Sequence, residues 1–348
     1  MRNIFILLPS PSPSGPIKGA YAIANQITSE HKVYLVFLKK GDGVSSFLSE
    51  EVKVVNLASY KNWIVKRNKL QNLINNFEDP IILSMCFSAD FINLFLNKKI
   101  YKISSIRGNL FKNYLYDYGL IGILPAFFQL YIQRFFDQSF SMNNSMYKMI
   151  KKISGKRSIV IPNFIEENEI KKYFKFKKNL YEPIRFIFIG QLNKRKNPLL
   201  LIKSFKKILP INASLSIVGN GPLYIDCQKL IKKLNLSNLV TLHSFLPKPF
   251  EILSDSDVFV LPSHSEGTSR AMLEALFLGV KCVLRDVDSN REVINDENGI
   301  LFKHDNELPL AMLKAAFISR IESRRKNLLP KNNREEYVKN LFLLALRK

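Results

Sequence analysis

The sequence predicts an α/β protein of two doubly wound domains, each a mostly parallel sheet covered by helices. Three observations carry that prediction. Short runs rich in β-branched and aromatic residues alternate with longer amphipathic stretches, the pattern of repeated strand–helix–strand units. A basic stretch without strand pattern, Lys171 to Lys178, interrupts this rhythm, which then restarts. The 348 residues leave room for two domains of ordinary size, roughly 100 to 200 residues each.

The first element is Asn3–Leu8, a continuous apolar run too short for the core of a signal peptide and followed at once by Pro-Ser repeats, hence a buried strand. Further strands are expected at Lys32–Leu38, Val52–Leu57, Pro80–Ser84 and Ile100–Ile106, with helical patterns between them. Ser139–Met142 and Ile159–Asn163 add two more, the second stopped by Pro162, around a helical segment running through Met149. The second half repeats the pattern with strands at Arg185–Gly190, Ala213–Gly219, Leu239–His243, Asp257–Leu261 and Lys281–Leu284. Asn197 as N-cap with Pro198 at the first helical position starts one helix, another runs from Pro222, and Gly279 stops a third after Leu278. Asn332 to Lys348 reads as an amphipathic helix that returns to an earlier domain. The domains are therefore expected at 1–170 and 171–330, with 331–348 packing back.

Composition narrows the function. Hydrophobic residues make up 47% and charged residues 23%, a folding composition that excludes a disordered chain. The net charge of +23 calls for an anionic partner: nucleic acid, a phosphorylated substrate or an anionic membrane. Cys86, Cys227 and Cys282 are scattered, without CxxC pairs, which fits a reducing, cytoplasmic setting. The uncharged, aromatic stretch Tyr118–Gln133 falls short of the roughly 20 residues that cross a bilayer. It could lie on a membrane surface or form an ordinary core helix pair.

The chemistry concentrates in Ser263–Gly279, where a strand is followed by a loop and a helix. The backbone N–H groups around Gly267, Thr268, Ser269 and Arg270 then stand at a helix N-terminus, a natural anion site. Glu274 has apolar neighbours on nearly every side, and a buried carboxylate needs a dedicated partner. Eight helical steps place Glu266 and Glu274 about 12 Å apart. Two acids with an anion site between them suit a nucleotide sugar.

These residues resemble the signature of the family 4 glycosyltransferases, retaining enzymes of the GT-B fold: Glu, seven residues, Glu, here Glu266-Gly267 and Leu273-Glu274-Ala275. The chain departs from it at Thr268-Ser269, where many members carry an aromatic residue and a glycine. Phe188-Ile-Gly-Gln-Leu-Asn-Lys-Arg-Lys-Asn-Pro198 resembles the family segment that grips the diphosphate. Gly190 stands in its glycine position and Lys196 in that of the family lysine. Gln191 replaces the usual arginine, leaving Lys194 or Arg195 to supply the charge. Ile217–Pro222 resembles the family's glycine turn, with Gly219 and Gly221 as scaffold. Looser similarity runs through the first half, at a glycine-bearing loop from Gly15 to Gly19, Ser104–Asn109, Phe140–Met142 and Val160–Asn163.

The resemblance implies two Rossmann-like domains facing each other across a cleft. It implies a retaining, metal-independent hexosyltransferase that moves a sugar from a nucleoside diphosphate donor to a saccharide or lipid-linked saccharide, with no cofactor. A bacterial surface-polysaccharide pathway is the implied setting. Glu266, Lys196 and Arg107 are the catalytic candidates; Glu274, Gly190, Lys194, Arg195, Gly267, Thr268, Ser269, Gly15 and Gly19 would bind the donor. Arg107 could contact the donor sugar or an acceptor phosphate, or pair with an acid, and Lys18 shares that ambiguity. His31, His243, His264 and His304 lack metal-ligand spacing. Asp255-Ser-Asp257 and Asp286-Val-Asp288 flank strands and are read as structural, so no metal is expected. The basic charge suits docking to an anionic cytoplasmic membrane face. An epimerase of the same fold is the alternative, and nucleic-acid binding, for which no motif is present, is the other.

Overall fold

Successive side chains of a strand point to opposite faces of its sheet, and the first strand shows the consequence for a parallel sheet buried on both sides. In β1 (Asn3–Leu8), Ile4, Ile6 and Leu8 enter one apolar core, while Phe5 and Leu7 enter another on the opposite face. The computed structural model describes residues 1–12, 14–41, 48–97, 99–175, 183–209, 211–322 and 325–346. Lys177 and Lys178 of the expected linker lie outside the described residues. Two compact units result: Met1–Ile165 with Glu335–Lys348, and Glu166–Arg334.

The first unit continues with α1 (Gly15–Ile27), β2 (Lys32–Phe37), β3 (Lys53–Asn56), α2 (Trp63–Ile74), β4 (Ile81–Met85), α3 (Phe87–Leu94) and β5 (Tyr101–Ile106). Then follow α4 (Leu110–Tyr118), α5 (Ile123–Tyr131), β6 (Gln138–Ser141), α6 (Asn144–Ser154) and β7 (Ile159–Val160). The seven strands form a parallel sheet ordered β3-β2-β1-β4-β5-β6-β7. Gly15 and Gly19 belong to α1, so the expected glycine-bearing loop is a helix. Ser14 precedes it and Pro16 occupies its first turn, where a missing N–H costs nothing.

The second unit comprises α7 (Glu167–Lys171), β8 (Ile184–Ile189), α8 (Pro198–Ile208), β9 (Ala213–Val218), α9 (Tyr224–Lys233), β10 (Val240–His243) and α10 (Phe250–Asp255). It is completed by β11 (Val258–Leu261), α11 (Arg270–Phe277), β12 (Lys281–Arg285), α12 (Asp288–Arg291), β13 (Gly299–Phe302) and α13 (Leu308–Ile321). Its parallel sheet runs β10-β9-β8-β11-β12-β13. The strand β13 and the helices α12 and α13 are additions to the sequence-based expectation. β13 is four residues long and only its last residue is fully buried, so its sequence has little apolar alternation to reveal it.

The last helix, α14 (Glu335–Leu346), belongs to the first unit. Val338, Phe342, Leu343, Ala345 and Leu346 join the core that holds Ile4, Ile6 and Tyr21, and Phe342 meets the Phe140 ring edge-on at 5.5 Å. Each sheet reverses its winding once, between β1 and β4 and between β8 and β11. In open α/β sheets, ligands bind outside the carboxyl ends of the strands at this switch point.

Candidate functional site

At the switch point of the second sheet, the loop after β8 (Gly190–Asn197) meets the loop after β11 (Pro262–Ser269). Backbone and side chains lace the two together. The His264 N–H donates to the Arg195 carbonyl at 2.9 Å, and Arg195 Nη1 donates to the Ser265 carbonyl at 2.9 Å. Asn197 Nδ2 lies 3.2 Å from His264 Nε2. Asn197 adopts a left-handed conformation (φ 52°) at the start of α8 and makes no side-chain cap; Pro198 alone carries the expected start signal.

Between these contacts, Lys196 Nζ donates to Glu266 Oε1 at 2.6 Å, with both side chains largely sequestered from solvent. Burial alone would raise the Glu266 carboxyl, but the Lys196 ammonium and the Arg195 guanidinium outweigh it and hold the group below the usual glutamate range. Burial pulls the Lys196 ammonium down; Glu266 opposes that and Arg195 adds to it. His264 is lowered by burial and by Arg285, so it is neutral at pH 7. The result is two cations and one carboxylate at one loop junction, with charge left over for an anion.

Of the two cations expected to compensate for Gln191, Arg195 lies at this junction. Lys194 is exposed on the same turn, and Gln191 accepts from Asn193 Nδ2. Gly190 follows β8, and a Cβ there would make only ordinary contacts with Phe188 and Lys196. The turn after β9 presses onto this loop: a Cβ on Gly219 would lie 1.9 Å from the Gly190 carbonyl oxygen, and one on Gly221 would lie 2.5 Å from that of Leu192. Leu192 N–H donates to Asn220, and Leu223 N–H to Leu192.

Beyond Glu266 the chain enters α11 through Gly267, Thr268 and Ser269. The helix begins at Arg270, so only part of the interval between the two glutamates is helical, and the uniform helical rise between Glu266 and Glu274 does not apply. Ser269 Oγ accepts from Met272 N–H and caps the helix. Glu274 is buried within α11. Arg270 pairs with Glu166; burial would lower its guanidinium, but Glu166 and then Glu274 raise it. Glu166 was not singled out from sequence, and its only local sign is the acidic run Glu166-Glu167.

Arg107, Gly19 and Gly15 belong to the first unit. Arg107 Nη2 donates to Asn163 Oδ1 at 3.1 Å and passes so close to α1 that a Cβ on Gly19 would lie 2.9 Å from it. Gly15 has open space around its Cα. Nearby, Cys86 holds a φ of 78° at the end of β4, and burial pushes its thiol up to about 12. Asp286 and Asp288 both pair with Arg291, while Asp255 pairs with Lys175 and Asp257 accepts from Arg185 N–H. Among the described residues, no cluster of three metal-ligating side chains occurs.

The model of the family described as glycosyl transferases group 1 matches residues 169–333, which include both loops. An uncharacterized glycosyltransferase of Methanocaldococcus jannaschii is 31% identical over 264 residues, 70% of this chain; the chain covers 64% of that relative, just under two thirds of its length. The O-antigen biosynthesis glycosyltransferase WclY of Escherichia coli is 25% identical over 296 residues, 82% of this chain and 80% of its own. Among solved structures, Anabaena HepE in complex with UDP and glucose superposes with a TM-score of 0.82 at 14% identity, over 100% of both chains. That likeness is one of fold, the two Rossmann-like domains of the GT-B plan. The second unit, with both of its loops, thus matches the glycosyl transferases group 1 model, and over a longer stretch the chain is similar to glycosyltransferases.

Proposed function

We propose that this chain is a retaining, metal-independent hexosyltransferase that moves a sugar from a nucleoside-diphosphate-sugar to a saccharide or lipid-linked saccharide acceptor, in a surface-polysaccharide pathway at the cytoplasmic face of the membrane. The observation that carries the reading is the sequestered Lys196–Glu266 pair, with Arg195 beside it, at the switch point of the second sheet. The identity to WclY supports the pathway, and the UDP and glucose in the HepE complex support the donor class.

In this mechanism the diphosphate takes over Lys196 and Arg195 and lies toward the positive end of α11. Glu266, released from Lys196, turns to the sugar hydroxyls, and Glu274 holds the ribose. The bond from the anomeric carbon to the phosphate oxygen breaks, and its electron pair leaves on the diphosphate, where the two cations stabilise it. The acceptor hydroxyl attacks from the leaving-group face and gives its proton to the departing phosphate, so the anomeric configuration is kept. Positive charge accumulates on the sugar in an oxocarbenium-like transition state.

Binding and turnover separate these roles. Lys196→Ala and Glu274→Ala should each weaken nucleoside diphosphate binding by roughly tenfold or more, the size of one lost charge-assisted contact. Glu266→Gln should leave that affinity unchanged or tighter, because it frees Lys196, while turnover falls by roughly 100-fold or more. Calorimetry with a panel of nucleoside diphosphates, uridine first, reads the binding side; NMR of the product reads the anomeric configuration. Wild-type nucleotide affinity in both alanine variants would place the donor elsewhere. Release of an epimerised free sugar without acceptor would replace transfer by epimerisation.

A further inference from the structure

The helical run Leu110–Phe135 is long and apolar enough to cross a membrane by length and composition, yet little of it is buried. Its fold excludes crossing. Gly119 ends α4 with a φ of 67°, and the chain doubles back so closely that a Cβ on Gly122 would lie 2.3 Å from the Tyr114 carbonyl oxygen. Each arm has nine residues, about 13 Å of helix against a hydrocarbon core of about 30 Å.

The hairpin is apolar on both faces: Leu110, Ala126 and Leu130 enter a buried core with Ile106 and Ile150, a few amides bond inward, and the outer face is apolar as well. Facing the sheet, Gln129 Nε2 donates to Asp90 Oδ2 at 2.7 Å, Gln133 Nε2 to Ser104 Oγ at 3.0 Å, and Tyr114 Oη to Gln129 Oε1 at 2.6 Å. Facing outward are Leu120 (77% exposed), Ile121 (80%), Leu124 (75%), Phe127, Phe128, Tyr131 and Phe135. The apolar surface continues onto two other elements through a chain of rings. Phe128 meets Phe87 at 6.2 Å, Phe87 meets Phe91 at 6.4 Å, and Phe91 meets both Trp63 (5.0 Å) and Phe95 (5.1 Å).

Cations are interleaved with these rings. Arg134 stacks over Tyr131 at 4.4 Å, Arg67 Nε donates to the Phe95 carbonyl, and Lys61, Lys69 and Lys112 are exposed on the same elements or next to them. Asp117 is the one acid between Leu110 and Phe135. A contiguous apolar surface of this kind marks an interaction site. Aromatic rings with basic residues around them match the interfacial zone of an anionic bilayer, where rings sit at headgroup level and Lys and Arg meet the lipid phosphates.

We propose that the α4–α5 hairpin, with Trp63 and Phe95, is a monotopic docking surface that seats the first unit on an anionic lipid bilayer. It goes beyond the donor-site reading and shares no residue with it, so either can fail alone. A surface-bound acceptor would then be met by diffusion in two dimensions.

The test uses the full chain with vesicles of phosphatidylcholine alone or mixed with phosphatidylglycerol. Trp63 is the one tryptophan and reports directly: its emission should shift to the blue and be quenched by brominated acyl chains with the anionic vesicles at low salt, and far less with neutral ones. Raising salt should release the protein progressively. The variant Leu120→Gln/Ile121→Gln/Leu124→Gln changes no charge, and its partitioning should fall by roughly tenfold or more with nucleoside diphosphate affinity and melting unchanged. Wild-type partitioning in that variant, or no Trp63 response to anionic vesicles, would overturn the proposal. So would a dimer in light scattering that the triple variant dissolves, since the surface would then be covered by a second copy.

Discussion

Glu266 and Asp90 are both buried carboxylates, shifted in opposite directions by their surroundings. Glu266 faces two cations and stays ionised. Asp90 faces Ser84, Ser104 and Gln129, which donate to it but carry no charge, and burial raises its carboxyl to about 7 despite those bonds. The sign of the resulting pH dependence follows from linkage. The folded state binds this proton more tightly than the unfolded chain, whose aspartate titrates near 3.8. Its contribution to stability is therefore complete below about pH 4 and is lost as pH rises through about 7. Asp90→Asn cannot titrate, so between pH 5 and pH 8 the wild-type melting temperature should fall further than that of the variant. Parallel slopes in thermal melts would show that Asp90 is ionised throughout. Glu266 was legible in the sequence because it sits in a patterned segment. Asp90 was not, since its partners come from β4, β5 and α5 and no local spacing announces them.

Glycines act at the scale of elements, and two of them give opposite expectations. Gly219 lets the turn after β9 lie against the loop after β8, where an added Cβ would meet backbone that has no rotamer to escape into. Gly219→Ala should therefore destabilise the second unit by at least about 2 kcal/mol. Gly15, in the first turn of α1, would meet nothing, and Gly15→Ala should be neutral or slightly stabilising. Urea titrations of both variants check the pair, and equal midpoints would refute the close-approach account. The glycine turn was readable as a turn; which glycine is indispensable depends on the neighbouring strand. The α4–α5 hairpin makes the same point, because its composition allowed either a surface or a core helix pair. Only the exposure of Leu120, Ile121 and Leu124 distinguishes the two.

For the whole molecule, the question is which charges serve the reaction. The surplus of +23 gathers in part at the loops of the second unit and in part around the rings of the first. Asp286 and Asp288, the most metal-like pair in the sequence, share Arg291. With fixed cations at Lys196 and Arg195, transfer should proceed at an undiminished rate in excess EDTA. Loss of activity that manganese or magnesium restores would refute the metal-independent reading.

By itself the sequence determined the two-sheet α/β class, most strand positions and the two loop segments that carry the charged residues. Those features are written locally, in alternation, glycine and proline punctuation and short spacings. Tertiary structure alone decided that Lys196 and Glu266, seventy residues apart in the chain, meet at 2.6 Å, and that Glu166 serves Arg270. It also decided that an apolar run long enough to span a bilayer folds back on itself as a hairpin. Each of these depends on which strands become neighbours at a switch point or which face a helix turns to its sheet. That choice is made by the packing energy of the whole unit, and no single segment contains it.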